Sequence, residues 1–509
     1  MTGSSGRFRP VLVSLLLLGL AGQVTMLSEF QRKHPAAEFP WADGEVYWHM
    51  AGRMAQGHWL GDTPFLSAPL YPYLLGVLRW LGLGLPGVYA LQVGIHLLAT
   101  AVVAVAAKRR FGVNAGLVAA GLYLLLADVA VSTMRVLQNE VQLLVTALLW
   151  WRWILLAEER TPRWRDVAIV AGLLGLLVLT FPTAVLVVPV LGAWLACRDR
   201  WSRTGWMRAG LLAVVVSALI SPATIHNAIV AHEFIPISAH AGVTLLHGNQ
   251  PDSRGVLTQI PGVVHGRLGL HESAAALFER ATGRSGTFGE IDRFFERQVI
   301  RFWTGEPLGA ARLFAVKAYR FLTGDVYDDT APLILDRRFG LATWTMLAPL
   351  EVPWLMGLAG VGVWAWGRVL GRARWELFIE AVLIGLPLLV TVIFFYSPRY
   401  RLPAVPPLCG LAACGLMSWR RFGAARTAAL ALAVSVPLLT VVNRWTGFDR
   451  PEYMLNVYRL TLAASHVRVA DQLTQEKNLP AAQARIRAAL DALPGYPPAL
   501  ERLRVVRTR

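Results

Sequence analysis

Eleven stretches of this 509-residue chain are apolar over lengths approaching the roughly 20 residues that a helix needs to cross a bilayer, and they dictate the fold class. They lie near residues 10–28, 87–107, 115–131, 141–157, 166–181, 182–197, 209–227, 342–367, 376–396, 402–419 and 426–443. In hydrocarbon every backbone N–H and C=O must find a partner within the segment, so such stretches form helices. The chain is therefore expected to be an all-α polytopic membrane protein. Composition agrees, with 55% hydrophobic and only 16% charged residues, against about 25% charged in soluble domains.

Lysine plus arginine number 49 against 32 acidic residues, a net charge of +17. In a soluble protein that balance would suggest nucleic acid, but here its position excludes that partner. The basic residues cluster in short loops: Lys108 to Arg110; Arg160, Arg163 and Arg165; Arg198, Arg200, Arg203 and Arg208; Arg368, Arg372 and Arg374; Arg420, Arg421 and Arg426. With Arg7 and Arg9 in the cytoplasm, eleven spans put every one of these loops on the cytoplasmic side, as the positive-inside rule requires. Counting the apolar segment Pro69–Pro86 as a span would invert them all, so it is read as an interfacial or re-entrant helix on the outer side. Residues 166–197 are read as two short spans meeting at Pro182. The first span, which lacks an A-x-A cleavage site, is read as uncleaved. The three cysteines, Cys197, Cys409 and Cys414, lie in or beside apolar runs and supply no disulfide framework.

This topology leaves three outer pieces: a loop at about 29–86, a loop at about 228–341, and a tail from about 446 to 509. In the second loop Phe288, Ile291, Phe294, Phe295, Val299 and Phe302 recur at helical spacing, which suits packing on the loop's own core or on the membrane surface. The tail reads as a helical hairpin, partly resembling one tetratricopeptide unit.

In the first loop, Asp43 follows a proline-containing turn and precedes a helical pattern in which Tyr47 and Ala51 recur at four-residue steps. Asp43 is thus either a helix N-cap or a carboxylate held at the membrane face, where it can accept a proton from an incoming hydroxyl. The residues around it are Pro40, Trp41, Ala42, Gly44 and Glu45; Ala68, Pro69, Leu70, Tyr71, Pro72 and Tyr73 follow. This string resembles the first outer loop of the GT-C membrane glycosyltransferases, specifically family 39, the protein mannosyltransferase and aminoarabinose transferase relatives. The resemblance continues through Arg135 to Glu140, then through His247, Gly248, Asn249 and Gln250, similar to the family's Gly-Asn-Asn motif. It ends at Ser397, Pro398, Arg399, Tyr400, Arg401, Leu402 and Pro403, which looks like the family's Arg-Tyr-Arg-x-Pro motif. Gln250 stands where a second asparagine is common, and Asp325, Tyr327, Asp328 and Asp329 are the nearest approach to the family's Glu-x-x-Asn string.

The resemblance covers residues 1–445 and implies a GT-C-like fold, with Asp43 as base and Arg399 and Arg401 on the donor phosphate. Glu45, Tyr47, Tyr71, Arg135, Glu140, His247, Asn249 and Lys317 are candidate substrate-binding residues. From the residues themselves, Pro398 and Pro403 disfavour a helix, and an extended segment would place Arg399 and Arg401 on one face as a two-arginine clamp. Arginine suits phosphate because its planar donors bind two oxygens at once; lipid headgroups are the alternative ligand. Glu140 could cap a helix, ligate a metal or orient Arg135, and His49, His58 and His247 could assist a metal. Arg152, inside a span, is expected to snorkel to the cytoplasmic surface.

The expected activity is transfer of a sugar from a polyprenyl-phosphate donor to a hydroxyl of a protein, lipid or glycan acceptor on the outer side of a bacterial inner membrane, with inversion. No cofactor is certain and a divalent metal ion is compatible with the family. A secondary transporter would place its polar residues near the membrane midplane in inverted repeats, and a noncatalytic scaffold would not need these motifs in order.

Overall fold

A computed structural model of the chain describes residues 3–40, 43–264, 269–324, 347–446 and 452–507. Among these residues the structure is helical, with two isolated bridges, Leu126 to Leu350 and Val256 to Tyr396. Helix α1 (Gly3–Lys33) leads into α2 (Asp43–Ala55) and α3 (Leu70–Trp80). A continuous bundle follows as α4 (Leu85–Phe111), α5 (Val113–Leu125), α6 (Ala127–Ser132), α7 (Asn139–Glu158), α8 (Trp164–Thr180), α9 (Val187–Arg198) and α10 (Arg203–Ala231). The second loop contributes α11 (Ala241–His247), α12 (Leu270–Thr282), α13 (Phe288–Gly305) and α14 (Pro307–Thr323). The bundle resumes with α15 (Val352–Arg368), α16 (Phe378–Ile393), the single turn α17 (Pro398–Arg401), α18 (Val405–Ser418) and α19 (Arg426–Thr446). The tail is α20 (Glu452–Gln475), α21 (Leu479–Ala492) and α22 (Pro497–Arg507), a hairpin extended by a third helix.

Each of the eleven apolar stretches is largely helical where it is described. Five helical runs among the described residues are long and apolar enough to cross a membrane: Gly6–Lys33, Leu85–Phe111, Asn139–Glu158, Arg203–Ala231 and Pro398–Thr446. The last run divides in two, because Gly423 adopts φ 54° and ψ −125°, outside the helical region. The stretch 166–197 breaks where expected, with a 3-10 turn at Pro182–Leu186 between α8 and α9. Segment Pro69–Pro86 yields the short α3, which packs on α2 through Arg79; its Nη1 donates to the Trp48 carbonyl at 2.9 Å.

Apolar side chains of α4, α5, α7, α8, α15, α16 and α18 share one core, with Trp150 and Trp153 fully enclosed. Lipid offers helices no hydrophobic reason to associate, so close backbone approach matters, and Gly362 of α15 lies directly against the Leu411 carbonyl of α18. Some charges within the bundle are paired. Arg110 Nε donates to Glu380 Oε1 at 3.0 Å, and Trp150 Nε1 donates to the same oxygen at 3.1 Å. Arg152 Nη2 meets Asp166, in the first turn of α8 beside the basic loop at 160–165, at 2.6 Å.

The amphipathic stripe of α13 turns inward. Ile291, Phe295 and Val299 pack on Val243, Leu246, Ile260 and Phe278, each such burial contributing about 1.5–3 kcal/mol. Thr287 and Glu290 start the helix with a reciprocal capping box. The tail has its own core of Ala463, Val467, Ala470, Ala482, Ile486 and Ala489.

A candidate active site between Asp43 and Arg399

Asp43 is the first residue of α2 and is buried. Its Oδ2 accepts from Arg399 Nη1 at 3.1 Å, so the carboxylate and the first arginine of the Arg-Tyr-Arg motif form one ion pair. The seat beneath them is made by the linker between α6 and α7. Gly44 lies so close to the Val136 carbonyl that only a residue without Cβ fits undisturbed. Gln92 of α4 fixes that linker, its Nε2 donating to the Thr133 carbonyl at 2.8 Å and the Arg135 carbonyl at 3.0 Å. Tyr71 completes the ladder by donating its hydroxyl to Gln92 Oε1 at 2.7 Å. Arg135 thus sits on a linker whose backbone is held from two sides.

Tyr47 and Tyr71 are buried and meet edge to face with ring centroids 5.9 Å apart. Burial holds the Tyr71 phenol well above its ordinary pKa, so it stays a neutral donor to Gln92. Glu140, in the first turn of α7, is fully enclosed; Ser132 Oγ donates to Oε1, and His96 Nδ1 lies 3.6 Å from Oε2. The carboxylate therefore joins the two ends of the Arg135 linker to α4, and the cap of α7 falls instead at Gln138, which makes no side-chain capping bond.

The extended segment expected at 398–403 is a helical turn continued by a 3-10 turn. Both prolines occupy first-turn positions, where the missing N–H has no helical partner to lose. Residues two apart on a helical turn diverge, and the two-arginine clamp on a single face does not form. Arg399 points to Asp43, whereas Arg401 is fully buried, donating through Nη1 to the carbonyls of Gly324 and Phe321. Arg401 Nε and Nη2 have no hydrogen-bond partner among the described residues.

Asn249 and Lys317 meet each other. Lys317 Nζ donates to Asn249 Oδ1 at 2.7 Å and to the Val392 carbonyl at 3.2 Å, while Asn249 Nδ2 donates to the Leu245 carbonyl at 2.7 Å and the Ile393 carbonyl at 2.8 Å. Burial pushes the Lys317 ammonium down to about 7. This hub tethers α11 and α14 to the end of α16, just ahead of the segment carrying Arg399. His247 supports it by contacting the Thr258 carbonyl through Nδ1 at 2.7 Å. Glu45 faces away from Asp43 and pairs with Arg468 of the tail. His49 and His58 are exposed, and no three His, Cys, Asp or Glu side chains among the described residues converge as a metal site. Asp325, Tyr327, Asp328 and Asp329 lie outside the described residues.

Gln92, His96 and Ser132 are the site-building residues that the motifs did not bring out. Gln92 and His96 are polar and four apart within an apolar stretch, so both face the same side of α4, and that spacing is the signal that could have found them.

Comparison with known proteins places part of the chain. No curated protein sequence matches it. The structure is similar to the oligosaccharyltransferase AglB from Archaeoglobus fulgidus, determined with an inhibitory peptide and a dolichol-phosphate, at 14% identity and TM-score 0.45, covering 88% of this chain and 56% of that one. It is similar to ArnT from Cupriavidus metallidurans, bound to undecaprenyl phosphate, also at 14% identity and TM-score 0.45, covering 96% of this chain and 77% of that one. The chain thus spans about half the length of the archaeal enzyme. Residues 64–226, which include Tyr71, Gln92, His96, Arg135 and Glu140, match the family described as dolichyl-phosphate-mannose-protein mannosyltransferase, and over that stretch the chain resembles this family of GT-C membrane glycosyltransferases.

Proposed function

We propose that this chain is an integral-membrane glycosyltransferase that moves a sugar from a polyprenyl phosphate to a hydroxyl of a protein, lipid or glycan. The ion pair between Asp43 and Arg399 is the observation that carries the reading, because it puts a proton acceptor and a phosphate-binding cation in one buried place. In this reading the donor phosphate takes over Arg399, which releases Asp43 from that ion pair. The acceptor O–H then loses its proton to Asp43 as its oxygen bonds to the anomeric carbon, and the bond from that carbon to the phosphate oxygen breaks. Direct displacement inverts the anomer. Arg399 stabilises the charge left on polyprenyl phosphate.

Residues 1–445 form the transferase domain, and the N-terminus lies in the cytoplasm of a bacterial cell with Asp43, the second loop and the tail outside. The resemblance of residues 64–226 to mannosyltransferases and the basic loops support this reading. Purified protein incubated with polyprenyl-phosphate sugars should release free polyprenyl phosphate when a hydroxyl acceptor is present. No release across a panel of such donors and acceptors would refute it.

A further inference from the structure

The tail lies on the loop that carries Asp43. Leu462 of α20 is buried in the same apolar cluster as Met26, Phe30, Ala36 and Tyr47. Arg468 of α20 pairs with Glu45, and Arg485 Nη2 of α21 lies 3.0 Å from Glu38 Oε2. The two carboxylates bracket Asp43 in the chain, and α20 and α21 each bring an arginine to them. A third contact is buried: His466 is enclosed beside His34 and Arg485.

Such contacts matter because α2 has only 13 residues. A helix this short is marginal in water on its own, so its orientation is set by what it packs against. Its first turn rests on Val136 below, and its next turn is held by Arg79. The tail is a further neighbour of this segment, through Glu45 and Leu462. An exposed ion pair contributes little by itself, but here two pairs and one apolar contact act on the same segment, and what they fix is direction.

We infer that the C-terminal helices hold the turn bearing Asp43 in its working orientation, with Arg468 acting through Glu45 as a positioning residue. The inference rests on Asp43 being the base. Glu45 on this view is the tail's handle and not a substrate ligand. A base held slightly out of line loses turnover while donor binding survives, so the effect falls on kcat and not on KM.

The test uses the full-length protein in lipid nanodiscs and two readouts, hydrogen exchange of residues 43–55 and steady-state release of polyprenyl phosphate. Arg468→Glu should speed exchange in that segment and lower kcat by about tenfold, since misplacements of the order of 1 Å cost up to about 10²-fold, with donor KM within about twofold. The charge swap Glu45→Arg with Arg468→Glu should restore both to within about threefold. Arg502→Gln, which breaks the pair with Asp471 inside the tail, should leave kcat unchanged. Unchanged exchange in Arg468→Glu, faster exchange with full turnover, or a swap that does not rescue would each overturn the inference. If exchange quickens and is rescued by the swap while Asp43→Asn is fully active, the tail's grip on the segment stands and the assignment of the base fails.

Discussion

Replacing Gly44 with alanine adds one methyl group at the tightest point under the proposed base. An ideal Cβ there lies 2.9 Å from the Val136 carbonyl oxygen and 3.3 Å from the Cβ atoms of Val136 and Pro40. Carbon-to-oxygen contacts settle at about 3.3–3.6 Å, so α2 or the Val136 linker must yield by roughly half an ångström. Two effects compete. Alanine in a helix gains about 0.5–1 kcal/mol over glycine, less in a first turn, whereas overpacking costs about 1–3 kcal/mol. The opposing atom is backbone that Gln92 holds from behind, so it cannot swing aside and the cost should win. Asp43 is the adjacent residue and moves with the turn. A shift of about half an ångström should lower kcat roughly tenfold while the thermal midpoint falls by only a few degrees. Gly172→Ala, with nothing within 4 Å of the added methyl group, is the control and should be neutral or slightly stabilising. The assay is release of polyprenyl phosphate beside a thermal melt. If Gly44→Ala turns over normally and melts like Gly172→Ala, the packing argument at Asp43 is wrong.

Asp43→Asn should lower turnover by about 10²–10⁴ while donor binding, followed by quenching of intrinsic tryptophan fluorescence, persists. Arg399→Ala should raise donor KM and Arg399→Lys recover it in part, since lysine keeps the charge without the fork; equal loss in both variants would show that charge is not what Arg399 supplies. Burial, with smaller effects of Arg485 and His34, pushes His466 down to about 4, so the docked tail holds a neutral imidazole and a released tail would bind a proton below its ordinary pKa of about 6.5. Docking should therefore weaken as pH falls through about 6.5 toward 4, by about 30-fold at pH 5 relative to pH 8, and His466→Leu should flatten that dependence in hydrogen exchange of residues 43–55. For sidedness, single cysteines near residues 60, 260 and 480 should react with an impermeant reagent in intact spheroplasts and those near 109, 203 and 421 should not; the reverse pattern would invert the topology.

The helical architecture was readable because apolar length leaves the backbone in lipid no other solution. The break at Pro182 was readable from charge, since flanking arginines asked that both ends of 166–197 share a side. The charge partners were not. Arg110 and Glu380 are 270 residues apart, and no local pattern announces that a basic-loop arginine turns inward to a carboxylate in another helix. The error at Pro398 and Pro403 was one of position within the element: proline opposes a helix interior but suits its first turn, and at those places it starts one. Asn249 and Lys317 carried motif-like chemistry, yet their burial against the end of α16 could not be read from residue type, so candidate ligands emerged as tethers. Asp43 and Arg399 were each chosen from short motifs, and their contact is what three dimensions added.

That contact joins residues 356 positions apart, which bears on how the protein is made. A ribosome delivers Asp43 early, but its partner emerges only after nine of the eleven apolar stretches have been synthesised, and the tail's arginines come later still. During most of translation the carboxylate is present without the cation that neutralises it, in a chain whose long-range contacts cannot yet form. A truncated or prematurely released chain ending before residue 399 would therefore carry the family-like stretch at 64–226 and still lack the Asp43–Arg399 pair. Expression of nested truncations should show protease-resistant bundles appearing well before any donor cleavage, with the latter arising only once the segment around Arg399 has been inserted.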